Sequence, residues 1–312
     1  MADRPPATAV RPLRVAVTGA SGLVGACFCE LLAERGHETV RLVRRTPARS
    51  GEAEWRPAAG LVATSAVEGL DALVHLAGES IASGRWSETR KQAIRDSRVA
   101  GTAALVRSFE ELRAPPRVFV CASATGFYGD RGDRRLDESA APGEGFLAEV
   151  CVAWEAAARG AERTCERVAL TRFGVVLSSE GGALARMLLP FRLGLGGPID
   201  AGRQYMPWIA LADVGRALIR VSTDDTLRGP VNFVAPEEAT NRDFTRALGR
   251  ALHRPTALRV PAFALRVALG REMADELLLA SARVVPARLT EHGFEFAHPR
   301  LDGALQALLG SG

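Results

Sequence analysis

The stretch from Arg14 to Arg45, RVAVTGASGLVGACFCELLAERGHETVRLVRR, constrains this chain most. Val15-Ala16-Val17 is a short apolar run that reads as a buried strand. Gly19, Gly22 and Gly25 follow at three-residue spacing. A helical pattern then runs from Ala26 to Arg35 and stops at Gly36, a helix-ending residue. A second strand, Thr39 to Val43, ends on Arg44 and Arg45. Strand, glycine turn, helix and strand within about thirty residues predict a βαβ unit of the kind that binds dinucleotides.

Each glycine has a physical reason to be there. Gly19 permits the tight turn out of the strand, Gly22 lets the backbone approach a pyrophosphate, and Gly25 lets the helix pack closely on the sheet. The free N–H groups of the helix start, around Ser21, Leu23 and Val24, face the phosphates. An acid at the end of the second strand would bind the ribose 2′-hydroxyl of NAD, whereas arginine accommodates the 2′-phosphate of NADP. Arg44 and Arg45 stand there, so the expected cofactor is NADP(H). The alternatives are a purely structural βαβ turn and two solvated surface arginines.

The remaining chemistry is mostly exclusion. The 312 residues are 47% hydrophobic and carry a net charge of +4 with no basic block, which does not suggest nucleic acid. Cys27, Cys29, Cys121, Cys151 and Cys165 are scattered without metal-ligand spacing, as in a reduced, cytoplasmic protein. No apolar run is long enough to span a membrane, and no signal peptide precedes the first strand. A small molecule is the expected partner, with a homodimer possible.

Along the chain, residues 1–12 read as a loose tail and Thr46 to Gly60 as a loop or short irregular strand. Asp71 to Gly78 is a strand and turn, with His75 a buried packing residue. Ser87 to Arg113 is a long helix. Val118 to Ala122 is a strand followed by the loop Ser123 to Gly129. Gly145 to Arg159 is a helix and Val168 to Val176 a strand. Leu184 to Leu189 is a helix stopped by Pro190. Gly194 to Pro207 is glycine-rich and aperiodic, as binding segments often are. Asp213 caps a helix to Val221, and Thr240-Asn241 starts another. The fold class is therefore α/β, a doubly wound parallel sheet with a small C-terminal helical or mixed lobe. Residues 13–180 with 208–236 form the dinucleotide-binding domain; 181–207 and 237–312 form the lobe. Ligands in such sheets lie beyond the carboxyl ends of the strands. That brings Leu76, Ala77 and Gly78 near Ser123 and Thr125.

TGASGLVG, LVHLAGESI, RWSETRKQAIRDSRVAGT, FVCASATGFYGDRG, FLAEVCVAWEAAA, MLLPFRLGLGGPIDAGRQYMPWI and GREMADELLLASARVVP together resemble an atypical extended short-chain dehydrogenase/reductase over nearly the full length. The resemblance is to the uncharacterised epimerase family of the NAD-dependent epimerase/dehydratase superfamily, with its C-terminal domain of unknown function. It implies an NADP-binding Rossmann domain and no settled substrate. Its usual catalytic set is a tyrosine, a lysine four residues later and a serine or threonine. Here Lys91 is the single lysine, and neither Tyr128 nor Tyr205 has a lysine four residues on. Aligning the helix on Glu155 puts Leu147 and Cys151 at the tyrosine and lysine places, and Ala124 at the serine place. Substitutes are Tyr128 as proton donor or pocket wall and Glu79 as acid/base or ligand-orienting carboxylate. Arg98 is a ribose or substrate anchor, or a surface salt bridge. Gln204, Tyr205 and Trp208 are substrate-lining, or an aromatic anchor in a structural loop. A non-catalytic NADP(H)-binding regulator is the competing reading to an epimerase or reductase.

Overall fold

The computed structural model describes residues 11–61 and 64–310; most of the expected N-terminal tail, residues 1–10, lies outside them. Its twelve strands are β1 (Arg14–Thr18), β2 (Glu38–Val43), β3 (Glu52–Arg56), β4 (Gly60–Leu61), β5 (Ala72–His75), β6 (Val118–Ala124), β7 (Arg135–Leu136), β8 (Arg167–Phe173), β9 (Val175–Leu177), β10 (Trp208–Ala210), β11 (Gly229–Phe233) and β12 (Arg283–Val284). The helices are α1 (Leu23–Glu34), α2 (Glu88–Ser108), α3 (Phe146–Arg159), α4 (Gly182–Arg192), α5 (Leu211–Thr223), α6 (Asn241–Leu252), α7 (Ala262–Leu269), α8 (Arg271–Ala274), α9 (Ala287–Glu291) and α10 (Leu301–Leu309).

Eight strands form one sheet in the order β11-β8-β6-β5-β1-β2-β3-β4. Every pairing is parallel except β3 with β4. The chain winds outward from β1 to β4, then returns to β5 on the other side of β1. The strand order reverses between β1 and β5, and in open α/β sheets that reversal opens a crevice at the carboxyl ends.

Alternation of side chains fixes the two layers. Ala16, Leu73 and Phe119 face one side, where Leu105, Phe109 and Trp154 of the α2–α3 region cover them. Val15, Val17, Val74 and Val120 face the other, under Phe28 and Leu32 of α1 and Val214 and Leu218 of α5. A third apolar cluster joins α4, α6 and α10 through Leu184, Leu188, Phe244, Leu248 and Leu305, with Trp208 at its edge.

Three readings of local sequence change. The stretch read as a loop or a short irregular strand holds the regular strand β3, which pairs in register with β2 and buries Trp55. Pro190 does not stop α4, which continues to Arg192; Phe191, buried against Leu184 and Leu188, holds the last turn. Asp213 does not cap α5. Ala210 is the N-cap residue, and Asp213 lies fully buried in the first turn. Its carboxylate accepts the backbone N–H groups of Ala297 (2.7 Å) and His298 (2.9 Å), tying the C-terminal segment to the sheet. Thr240 does cap α6, in a reciprocal box with Asp243.

Candidate functional site

The glycine turn has the geometry its spacing requires. Gly19 sits at φ +68°, and a Cβ there would press on the Leu76–Ala77 backbone at 3.0 Å. A Cβ on Gly25 would stand 2.2 Å from the Gly19 carbonyl oxygen. Gly25 therefore closes the helix onto the turn itself, rather than onto the sheet. A Cβ on Gly22 would meet only the Gly19 oxygen, at 3.3 Å, so its other side is open. Gly22 N–H bonds that same oxygen (2.9 Å). The first-turn N–H groups of Leu23, Val24 and Gly25 have no acceptor among the described residues. They form, beside exposed Ser21, a set of unpaired donors at the positive end of α1.

The end of β2 divides the two arginines. Arg45 forks onto Glu52 with contacts of 2.7 and 2.9 Å, and with the Ala48 N–H it holds that carboxyl down at about 2. Arg44 is exposed and has no side-chain partner among the described residues. Only one of the expected pair is thus open to an anion.

Across the crevice, Leu76, Ala77 and Gly78 continue from β5. Thr18 Oγ1, at the end of β1, accepts the N–H groups of Leu76 (3.0 Å) and Ala77 (3.2 Å). Its own proton is then left for His75 Nδ1, 2.8 Å away. The other ring nitrogen, Nε2, donates to Thr102 Oγ1 (3.1 Å), which also accepts the Trp154 indole N–H (2.9 Å). His75 is fully buried, and burial lowers its pKa to about 3. It is more than a packing residue: as a neutral ring it links the turn to α2 and α3.

Glu79 follows this turn, partly exposed, with Arg90 on its carboxylate at 3.0 Å. Arg90 carries no sequence signal beyond its place in the first turn of α2, where its N–H is capped by Ser87 Oγ. Arg98 reaches under the same turn and donates from Nη1 to the carbonyls of Glu79 (3.0 Å) and Ile94 (3.1 Å). Its guanidinium also lies over the Trp154 ring at 5.2 Å. A Cβ on Gly78 would be 3.4 Å from the guanidinium carbon, so the bare backbone of Gly78 rests on this cation. Burial lowers the Arg98 pKa; the neighbouring Cys151 and Glu79 oppose that shift. Arg98 is a half-buried charge under the crevice rather than a surface salt bridge.

The β6 end contradicts two expectations. Tyr128 is fully buried, and its hydroxyl lies 2.7 Å from Asn232 Oδ1 and accepts from Arg172 Nη1 at 2.9 Å. Burial pushes its pKa up to about 12. It neither opens onto the crevice nor walls it. Ser123 is buried and donates to Glu155 Oε1 (2.8 Å), so its hydroxyl is not free for a cofactor. Glu155 is itself forked by buried Arg172 at 2.7 and 2.9 Å. The Arg172 guanidinium lies 3.5 Å over the Phe127 ring. Thr125 is half-buried just beyond the end of β6. Cys151 is buried, with its thiol raised to about 11 by burial and by Glu155.

In the glycine segment the side chains take the anchoring role rather than the substrate-lining one. Trp208 is buried in β10 and donates to the Glu237 carbonyl (3.1 Å). Gln204 donates to the Leu278 carbonyl (3.2 Å), and Tyr205 pairs with Thr240 beneath Arg283. The void beside Tyr205 and Trp208 measures about 10 Å³, the lower limit for one water. These three side chains fasten the segment to the C-terminal residues.

Residues 15–234 match the NAD dependent epimerase/dehydratase family, and residues 260–308 match a domain of unknown function, DUF1731. An epimerase family protein of Mycobacterium leprae is 44% identical over 299 residues, covering 96% of each chain. The crystal structure of human epimerase family protein SDR39U1 with NADPH superposes at a TM-score of 0.88 with 34% identity, covering 96% of this chain and 100% of that one. A nucleoside-diphosphate sugar epimerase from Corynebacterium glutamicum superposes at 0.77 with 36% identity, covering 96% of this chain and 58% of that one. With the glycine turn, the β1/β5 crevice and both matched regions in place, this chain belongs to the NAD dependent epimerase/dehydratase family.

Proposed function

We propose that the protein is an NADP(H)-dependent epimerase or reductase of a small molecule, working without the usual tyrosine and lysine. The carrying observation is the row of unpaired N–H donors at Leu23, Val24 and Gly25 together with an exposed Arg44 that has no carboxylate partner among the described residues. These fit a pyrophosphate and a 2′-phosphate, and the human relative was crystallised with NADPH. The bound cofactor would supply or accept the hydride. Leu76 to Gly78 and Thr125 would border the reacting end. Arg98, under Gly78 and near Cys151, would provide the fixed positive charge that lysine supplies elsewhere in the family. Glu79, oriented by Arg90, would exchange the proton.

The buried state of Cys151 beside Leu147 favours a second reading, a protein that binds NADP(H) without turnover. Calorimetric titration with NADPH, NADP⁺, NADH and NAD⁺ tests the shared premise. NADPH should bind most tightly. Arg44→Ala should weaken it about tenfold or more while leaving NADH unchanged, since a charge-assisted contact contributes about 1.5–3 kcal/mol. Arg45→Ala should do less, because Glu52 already holds that side chain. Absence of binding to any dinucleotide would reject both readings. Given binding, a panel of carbonyl compounds and nucleotide sugars separates them: turnover lost in Glu79→Gln supports the enzyme, and inertness toward all supports the binder.

A further inference from the structure

Six of the large apolar side chains most open to solvent fall in two stretches. Leu189, Leu193 and Leu195 (66, 64 and 57% exposed) close α4 and its following turn. Leu258 (53%) precedes α7, and Phe263 and Val267 (69 and 70%) lie on it. Leu189 and Leu193 are four residues apart, as are Phe263 and Val267, so each pair shares one side of its helix. The stretches adjoin: Val260 N–H bonds the Pro198 carbonyl (2.9 Å) and Arg254 Nε the Arg192 carbonyl (2.9 Å). Helix α7, AFALRVAL, buries none of its side chains.

The unpaired charge within these two stretches is positive, although Arg266 of α7 is paired with Asp275 just beyond them. Residues 181–199 and 249–271 contain no Asp or Glu. Arg186, Arg192, Arg254 and Arg259 are exposed there without a carboxylate partner among the described residues. We propose that this face docks on a membrane surface bearing anionic lipid. The leucines, Phe263 and Val267 would enter the interface, and the arginines would meet the phosphate headgroups. A second copy of the chain fits less well. A two-fold interface would gather the unpaired arginines of both copies into one seam. No helix among the described residues is long and apolar enough to cross a membrane, so the docking is peripheral.

The face also borders the crevice. Arg186 donates to the Ala82 carbonyl, and Arg85 bonds the carbonyls of Val267 and Ala268. Both clamp the loop that follows the β5 turn. A docked molecule would hold that loop near the lipid surface.

Co-sedimentation with vesicles tests this, comparing phosphatidylcholine alone with phosphatidylcholine mixed with phosphatidylglycerol. The full chain should sediment with the anionic vesicles only, and salt should release it. Phe263→Ser with Val267→Ser should lower partitioning by about tenfold or more. Arg192→Glu with Arg259→Glu should lower it by about fivefold for each arginine. Both double variants should keep the parent melting temperature, because the altered side chains touch solvent. No sedimentation, equal binding to neutral vesicles, or undiminished binding in both variants would overturn the proposal. So would a solution dimer dissolved by Phe263→Ser with Val267→Ser, which would give the face to a second copy.

Discussion

The two rims of the crevice are built in opposite ways. On the β1 side almost everything is backbone: bare glycines, a tight turn and helix-start N–H groups left without acceptors. On the β6–α3 side the polar groups are side chains, and they are already spent. Ser123 is bonded to Glu155, Glu155 is forked by Arg172, and Arg172 donates to Tyr128, whose hydroxyl lies against Asn232. Unpaired donors at a surface cost little, because water satisfies them until a ligand does. Buried side chains in an interior of low polarity must be satisfied by each other. The first rim is therefore free to bind, and the second is scaffold.

The sharpest way to break this contrast is to open the scaffold. Arg172→Met would leave Glu155 buried without its partner, at a cost of about 3–5 kcal/mol. Urea unfolding should show that loss. If the rims are independent, calorimetry on the folded variant should give the parent NADPH affinity. A matched fall in affinity would show that the scaffold also shapes the binding rim.

A smaller effect probes the link between the rims. His75 ties Thr18, on the glycine side, to Thr102 and Trp154 on the helices. Its folded pKa, about 3, lies below the ordinary histidine value near 6.5. The unfolded chain then binds a proton that the folded chain refuses between those values. Stability from the neutral ring is complete above pH ~6.5 and declines as pH falls toward ~3, by at most about 1.4 kcal/mol per unit. His75→Gln should remove this part of the slope. Denaturant titrations at a series of pH values between neutral and mildly acidic would read it. An unchanged slope would mean that the linking ring titrates normally.

What the sequence disclosed follows the same divide. Glycine spacing, strand alternation and the helix start at Thr240 are local, and each specifies its own conformation, so the βαβ unit and the order of elements were legible. Tyr128 looked available because a tyrosine at a strand-end loop is usually half open. Only the convergence of β8, β11 and the loop after β6 shows that Arg172 and Asn232 reach it. Asp213 misled, and Trp208 stayed open between lining and anchoring, for the same reason: their partners, the 297–298 backbone and Glu237, are distant in sequence. Arg44 and Arg45 are adjacent and alike, and nothing local separates them. The separation comes from Glu52, brought alongside by β3, which the local sequence left open between loop and strand.

The smallest expected effect lies where the C-terminal region meets the scaffold rim. Helix α3 has no cap of its own: Gly145, at φ +101°, has no side chain to offer. Glu276 supplies one from 130 residues away, accepting the Phe146 N–H at 2.9 Å and the Leu147 N–H at 2.8 Å. A Cβ on residue 145 would sit 2.9 Å from that carboxylate, so the bare glycine makes room for a borrowed cap. Loss of a capping acceptor typically costs about 0.5–2 kcal/mol, and a carboxylate adds a favourable charge at the helix start. Glu276→Ala should therefore cost about 1 kcal/mol. Hydrogen exchange should quicken at Phe146 and Leu147 while the α2 amides keep their protection. Glu276→Gln, which retains one acceptor oxygen, should recover part of the loss. Equal exchange in parent and Glu276→Ala would mean that the rim is rigid without the C-terminal region. Selective loosening of α3 would instead show that the C-terminal region stabilises the scaffold side of the crevice and leaves the glycine side to stand by itself.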